Sequence, residues 1–202
     1  MFYGAILDTP IKSNFSDFYF FPKFFTKEMI NKLENLVYNN YTFEKGKVGS
    51  AELNNLDSSI YNNRDIAYIV PSNDSQWLYE ILEPLVIEAN ENLFNFDIKY
   101  VTDAIHYVIY PENGGHLDWH MDVGYGAVNR RKLSLTIQLS DPSEYQGGEF
   151  EIWYGKNDNF VELPRQQGDV IIFPSFLMHR VKPVIQGQRK ALVFWVGGEP
   201  FK

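Results

Sequence analysis

Four histidines stand in the chain, His106, His116, His120 and His179, and two of them open His-x-Asp units: His116-Leu117-Asp118 and His120-Met121-Asp122. In a strand, residues two apart point the same way, so either unit could offer an imidazole and a carboxylate to one cation. A further histidine from a distant strand would complete a set of two imidazoles and one carboxylate. That facial arrangement leaves coordination positions open on Fe(II) for a co-substrate and dioxygen together. His179 is the available distal histidine. The chain contains no cysteine, which removes disulfides, thiolate zinc sites, cysteine-ligated iron-sulfur clusters and a cysteine nucleophile from consideration. Any metal is held by histidines and carboxylates.

A second chemical signal lies ten residues past His179. Arg189 shares a strand face with Ala191, Val193 and Trp195, and no acidic residue lies on that face. A guanidinium turned into the interior is costly unless an anion meets it. The far carboxylate of a dicarboxylate ligand would supply a two-pronged partner.

These residues need a scaffold, and its periods are readable. After Thr26, a suitable N-cap, the apolar residues Met29, Ile30, Leu33, Leu36 and Val37 recur at helical spacing up to Asn39-Asn40. A second helix runs from Trp77 through Leu78, Ile81, Leu82 and Leu85 to Ala89, with Pro84 expected to kink or restart it. Residues 40 to 65 read as irregular, followed by a short strand at Ile66 to Val70. From about Tyr100 the period becomes two. Leu133, Leu135, Ile137 and Leu139 alternate with Ser134, Thr136, Gln138 and Ser140, giving a strand with one apolar and one polar face. Further strands are expected at Val101 to Tyr110, Gly148 to Tyr154, Asp169 to Phe173, Val181 to Val184 and Lys190 to Gly197, the last of them central and covered on both sides. Helices first and short strands afterwards predict an α+β chain, mainly β, in which a double-sheet barrel carries the helices on one outer face.

Its 202 residues suit one domain, with a helical buttress over about 24–95 and a barrel core over about 100–200. With 18 basic and 26 acidic residues the net charge is -8, which argues against nucleic acid as a partner. The 16 Phe, 13 Tyr and 4 Trp supply a large core. No basic segment precedes an apolar stretch near Met1, and no apolar run is long enough to span a bilayer, so a cytoplasmic location away from membranes is expected.

The ordered runs Tyr110-Pro-Glu-Asn-Gly-Gly-His-Leu-Asp-Trp-His120-Met-Asp122, Arg131-Lys-Leu-Ser-Leu-Thr136, Gly147-Gly-Glu-Phe150, Gly168-Asp-Val-Ile-Ile-Phe173, His179 and Arg189 to Trp195 resemble the iron(II)/2-oxoglutarate-dependent dioxygenases, closest to their prolyl-4-hydroxylase-like branch of small bacterial and phage hydroxylases. The resemblance covers about residues 60–200. It implies a double-stranded β-helix, or jelly roll, with helices buttressing one sheet. It implies Fe(II), the cosubstrate 2-oxoglutarate and O2, with ascorbate as an accessory. By the same resemblance His120, Asp122 and His179 are the iron ligands, and Arg189 binds the far carboxylate of 2-oxoglutarate. Tyr110 hydrogen-bonds that carboxylate, Thr136 lines the cosubstrate pocket, and Trp195 closes it near the distal histidine. Many relatives carry a hydroxyl two residues after the arginine, where this chain has Ala191; Tyr110 or Thr136 would have to supply that donor. The carboxylate at Asp122 favours hydroxylation over halogenation. The implied activity is hydroxylation of a prolyl residue in a peptide or protein, with release of succinate and CO2.

Other readings compete at particular residues. His120/Asp122 is preferred to His116/Asp118 because the distance back to Tyr110 and the Val-Gly-Tyr-Gly loop after Asp122 both fit; His116 then lies outside the ligand set. His106, inside an apolar strand, reads as a hydrogen-bonded structural histidine. Arg130, Arg131 and Lys132 read as a solvated turn, the alternative being an entrance that greets a ligand. The segment 40–65 is a surface loop or a lid. For the whole chain the alternatives are an oxygenase of a small molecule such as a free amino acid, or a non-enzymatic jelly-roll binding module.

Overall fold

Thr26 begins the first helix as the sequence predicts: its hydroxyl accepts the Met29 amide at 3.3 Å, satisfying one of the free donors of the first turn. The computed structural model describes residues 17–46, 62–155 and 159–201. In chain order the elements are β1 (Tyr19–Phe21), α1 (Lys27–Asn40), β2 (Glu44–Lys45), β3 (Asn62–Asn63), β4 (Asp65–Ile69), α2 (Gln76–Ala89), β5 (Tyr100–Val101), β6 (Ile105–Tyr110), β7 (Gly115–His120), β8 (Arg131–Gln138), β9 (Tyr145–Gly147), β10 (Phe150–Trp153), β11 (Phe160–Glu162), β12 (Val170–Pro174), β13 (His179–Gly187) and β14 (Arg189–Gly197). Most of the segment expected to be an irregular loop or lid, residues 47–61, lies outside the described residues; its flanks form β2 and β3.

Among the described residues the strands form two antiparallel sheets. The major sheet has eight strands in the order β1-β12-β8-β14-β6-β4-β2, with β5 on β14; the minor sheet has six in the order β11-β10-β13-β7-β3, with β9 on β13. This is the two-sheet jelly roll. The strand Arg189–Gly197 is central as expected, paired with β6 and β8.

Alternation along the central strands creates two cores. Leu192, Phe194 and Val196 of β14, with Leu133, Leu135 and Ile137 of β8, pack outward against Leu33, Val37, Leu78, Leu82 and Ala89 of the helices. Ala191 of β14, Val108 and Tyr110 of β6 and Ile171 and Phe173 of β12 face the minor sheet, where Leu117, Phe150, Ile152 and Val181 meet them. Leu33, Leu78 and Leu82 are fully buried; truncating such a side chain to alanine costs about 2–5 kcal/mol. The polar face of β8 is not solvated. Ser134, Thr136 and Gln138 are buried between the sheets, so this alternation reports a polar lumen.

Of the two outcomes expected at Pro84, a kink or a restart, the restart does not occur, since α2 continues through it. Proline removes the bond to the carbonyl four residues back, here that of Glu80. Both Pro84 and Glu80 are exposed, so water can serve the freed carbonyl while Leu78, Leu82, Leu85 and Val86 hold the buried side. The helix then ends in a wide turn, Asn95 N–H donating to the Asn90 carbonyl at 2.7 Å with Asn95 in the left-handed region.

Candidate metal and cosubstrate site

Strand pairing sets His120 of β7 directly opposite His179 of β13. The next partners are Leu117 and Val181, so β7 advances three residues while β13 advances two. This bulge breaks the simple alternation along β7. Leu117 and His120 consequently both line the lumen, whereas His116 and Asp118 do not. The His116 ring nitrogen Nδ1 lies 2.7 Å from the Gly114 carbonyl, and Asp118 accepts the Trp119 amide at 2.7 Å. The second His-x-Asp unit is therefore the one directed inward.

The ligand atoms of His120, Asp122 and His179 lie within 4.8 Å of one another. Each histidine places Nδ1 2.8 Å from a backbone carbonyl, Asp118 for His120 and Leu177 for His179. A carbonyl only accepts, so Nδ1 carries a proton and Nε2 is the ring nitrogen turned toward Asp122, 3.5 Å away in both cases, and the one placed to bind a metal. Asp122 is fixed as well. Ser134 Oγ donates to its Oδ2 at 2.6 Å and contacts Ser175 Oγ at 3.0 Å, while the Asp122 amide donates to the Ser175 carbonyl at 2.9 Å. Two imidazoles and one held carboxylate, all aimed at one point, fit a divalent cation.

Burial pushes His179 down to about 4, against the pull of the Asp122 carboxylate. Burial alone would raise the Asp122 carboxyl, but the neighbouring His179 and His120 and the Ser134 hydroxyl outweigh it and hold the group well below the usual carboxylate range. His106 is likewise pushed down to about 4, by burial and by Arg64 and Arg131. A histidine depressed below its unfolded value binds fewer protons folded than unfolded. Its contribution is thus complete above about pH 6.5 and is lost as pH falls toward 4. The metal-free protein should therefore lose stability on acidification from pH 7 to pH 5, by an amount on the order of a few kcal/mol for the two histidines together. Thermal unfolding across that range checks this; a flat profile refutes it.

At the other end of the lumen Arg189 is 4% exposed. It stands opposite Tyr110 in the β6–β14 pairing, with its guanidinium 5.2 Å from the tyrosine ring centre. Its Nε is buried with no hydrogen-bond partner, the orphaned donor that a carboxylate would satisfy. Gly148 permits this packing: a β-carbon there would lie 3.1 Å from Arg189 Cδ, and its φ of +66° is in the left-handed region. Ala191, opposite Val108 and Gln138, has no hydroxyl to offer, but Tyr110 and Thr136 do line the lumen.

The structure brings every residue expected at the site, Tyr110, His120, Asp122, Thr136, His179, Arg189 and Trp195, to the wall of one cavity. Trp195 Nε1 is buried without a partner, and the Trp195 ring carries the Arg131 guanidinium at 4.0 Å and the His106 ring at 4.7 Å. Two expectations need correction. His106 is held between the rings of Tyr68 and Trp195, both 4.7 Å away, and no hydrogen bond is seen among its described contacts. The solvated turn holds only for Arg130. Arg131 pairs with Asp103 at 2.8 Å and donates to the Asp122 carbonyl at 3.2 Å, while Lys132 is buried with its ammonium 3.3 Å from the Phe201 ring centre. Sequence reasoning assigned no role to Ser134, Ser175 or Arg64, which only the folded register brings to the site.

A jelly roll whose lumen presents two histidines and one aspartate together with an arginine whose Nε lacks a partner has the donor set that suits Fe(II) with positions left open, and a cation to meet an anionic co-ligand. Residues 105–197 match the profile of the 2OG-Fe(II) oxygenase superfamily. The chain is 37% identical over 94 residues to a PKHD-type hydroxylase of Prochlorococcus marinus (46% of this chain, 42% of that protein). It is 48% identical over 67 residues to one of Xylella fastidiosa (33% and 28%). It thus spans less than half the length of these curated relatives. Among solved structures it is similar to a prolyl hydroxylase of Trichoplax adhaerens in complex with a hypoxia inducible factor peptide fragment (TM-score 0.72, 19% identity, 90% of this chain and 83% of that one). It is also similar to a Pseudomonas putida prolyl-4-hydroxylase (TM-score 0.67, 16% identity, 91% and 93%); at such identities both likenesses speak for the fold. Among the described residues no helix is long and apolar enough to cross a membrane.

Proposed function

We propose that the chain is an Fe(II)- and 2-oxoglutarate-dependent hydroxylase acting on a prolyl residue of a peptide or protein, as a single domain. The observation that carries the reading is the pairing, in one cavity, of the His120–Asp122–His179 donor set with the unpartnered Nε of Arg189. When bound, iron and 2-oxoglutarate supply the oxidant that converts a C–H bond to C–OH, with succinate and CO2 as the other products. His120, Asp122 and His179 hold the metal. Arg189 receives the far carboxylate of the cosubstrate, Tyr110 and Thr136 offer hydroxyls beside it, and Trp195 closes the lumen at the metal end. The rings of Phe150 and Phe173, 5.6 and 4.9 Å from that of His179, exclude water from around the metal.

The prolyl assignment draws on the hydroxylase names of the relatives. It also has a physical basis, since a proline in a chain is a rigid ring whose fixed φ lets a groove present one C–H with little entropy loss. The test is turnover of 2-oxoglutarate with Fe(II) and ascorbate against a panel of proline-containing peptides, read by a mass increase of one oxygen. Hydroxylation of a peptide supports the reading. Oxidation of free L-proline or another metabolite, with no peptide raising 2-oxoglutarate consumption above the uncoupled rate, replaces it with a small-molecule oxygenase.

A further inference from the structure

Arg64 is a second arginine on the wall of the same cavity. It is the residue at which the chain passes from β3, paired with β7 in the minor sheet, to β4 in the major sheet. Its carbonyl accepts the Gly46 amide at 2.8 Å, and its side chain runs past that glycine; a β-carbon on Gly46 would come within 2.7 Å of Arg64 Cγ and 2.8 Å of Nε. The side chain is thus confined by backbone. Its Nε is buried and makes no hydrogen bond.

No acid answers this charge among the described residues. Asp65 pairs with Lys45 at 2.7 Å, Asp103 with Arg131 at 2.8 Å, and Asp122 is taken by the histidines and Ser134. The loaded site has no counterion to spare either. A divalent cation and Arg189 together balance the Asp122 carboxylate and the two carboxylates of 2-oxoglutarate. Among the described residues Arg64 is then the cation left over, with a planar fork that best fits a carboxylate and a buried N–H that lacks an acceptor.

We propose that Arg64 is a specificity-determining residue that receives a carboxylate of the primary substrate. That carboxylate comes either from an acidic side chain beside the reacting residue or from a free α-carboxylate at the reacting residue. The inference rests on the hydroxylase reading of the site and names the charge of its substrate.

Binding can be measured apart from turnover, because Zn(II) fits the same donor set and has no redox chemistry. The full chain, loaded with Zn(II) and 2-oxoglutarate, is titrated calorimetrically with N-acetyl-L-proline against N-acetyl-L-proline amide. It is also titrated with end-capped tetrapeptides in which proline is flanked by Glu against Gln. In at least one pair the acid should bind about tenfold or more tighter than its neutral isostere, and the pair that responds identifies the source of the carboxylate. Arg64→Gln should remove that preference, and Arg64→Lys should keep part of it. Equal binding of acid and neutral probe in both pairs overturns the inference, and this wild-type comparison needs no variant to fold. A preference that survives Arg64→Gln, or a loss of 2-oxoglutarate affinity in its place, also overturns it. Acid preference without any hydroxylated product would keep the inference and remove the prolyl reading. Hydroxylation indifferent to charge would do the reverse.

Discussion

His120→Ala should abolish Fe(II) binding, whereas His116→Ala should leave it nearly intact. Losing a partner that merely orients a ligand already costs about 10- to 100-fold in metal affinity, and removing an imidazole from a three-ligand set should exceed that. His116 offers the same residue type four positions away, in an equivalent His-x-Asp unit. What separates them is the extra residue in β7, which turns Leu117 and His120 to the lumen and leaves His116 out of it. Titration of each metal-free variant with Fe(II) under anaerobic conditions decides the matter. Retained binding in His120→Ala together with loss in His116→Ala would show that the wrong unit has been assigned.

The second large effect is expected at Arg189. Arg189→Lys keeps the positive charge and loses the planar fork, so 2-oxoglutarate affinity should fall about tenfold or more. Metal affinity should barely move, because Arg189 is not one of the three donors and packs against Tyr110 and Gly148. Titrating the cosubstrate into metal-loaded wild type and variant measures the first quantity, and metal titration the second. If both fall together, Arg189 supports the fold of the site and does not select the cosubstrate.

How much of this was readable in the sequence depends on how far each feature repeats itself. Both helices were legible because their buried residues recur every three or four positions, and β8 because apolar and polar residues alternate along it, although the structure buries both of its faces. The strands β1, β9 and β11 span three residues each, too few for a period to show, and their pairing is decided by the neighbouring strand. Whether Pro84 would restart α2 was not legible, because the rule concerns a lost hydrogen bond and the cost of that loss depends on solvent access. At the site, His120, Asp122, His179 and Arg189 were visible through residue type and spacing. Arg64 was not: it is a single arginine beside an Asn-rich stretch, and only the crossing from one sheet to the other gives its position meaning. Arg131 and Lys132 looked like a charged turn for a similar reason, since adjacent charges say nothing about Asp103, Trp195 or Phe201 until the chain brings them together.

The two cores on either side of the major sheet have a bearing on how such a protein can change over generations. Each central strand divides its labour residue by residue: Leu192, Phe194 and Val196 anchor the helices, while Arg189, Ala191, Val193 and Trp195, their immediate neighbours, line the reaction chamber or border it. Substitutions at chamber positions such as Val193 leave the helix-side packing whole, so tolerance there is underwritten by a store of stability held on the opposite face. Adjacent codons therefore answer to different selective pressures, and a library confined to the chamber-facing half of β8 and β14 is the economical place to seek an altered substrate range.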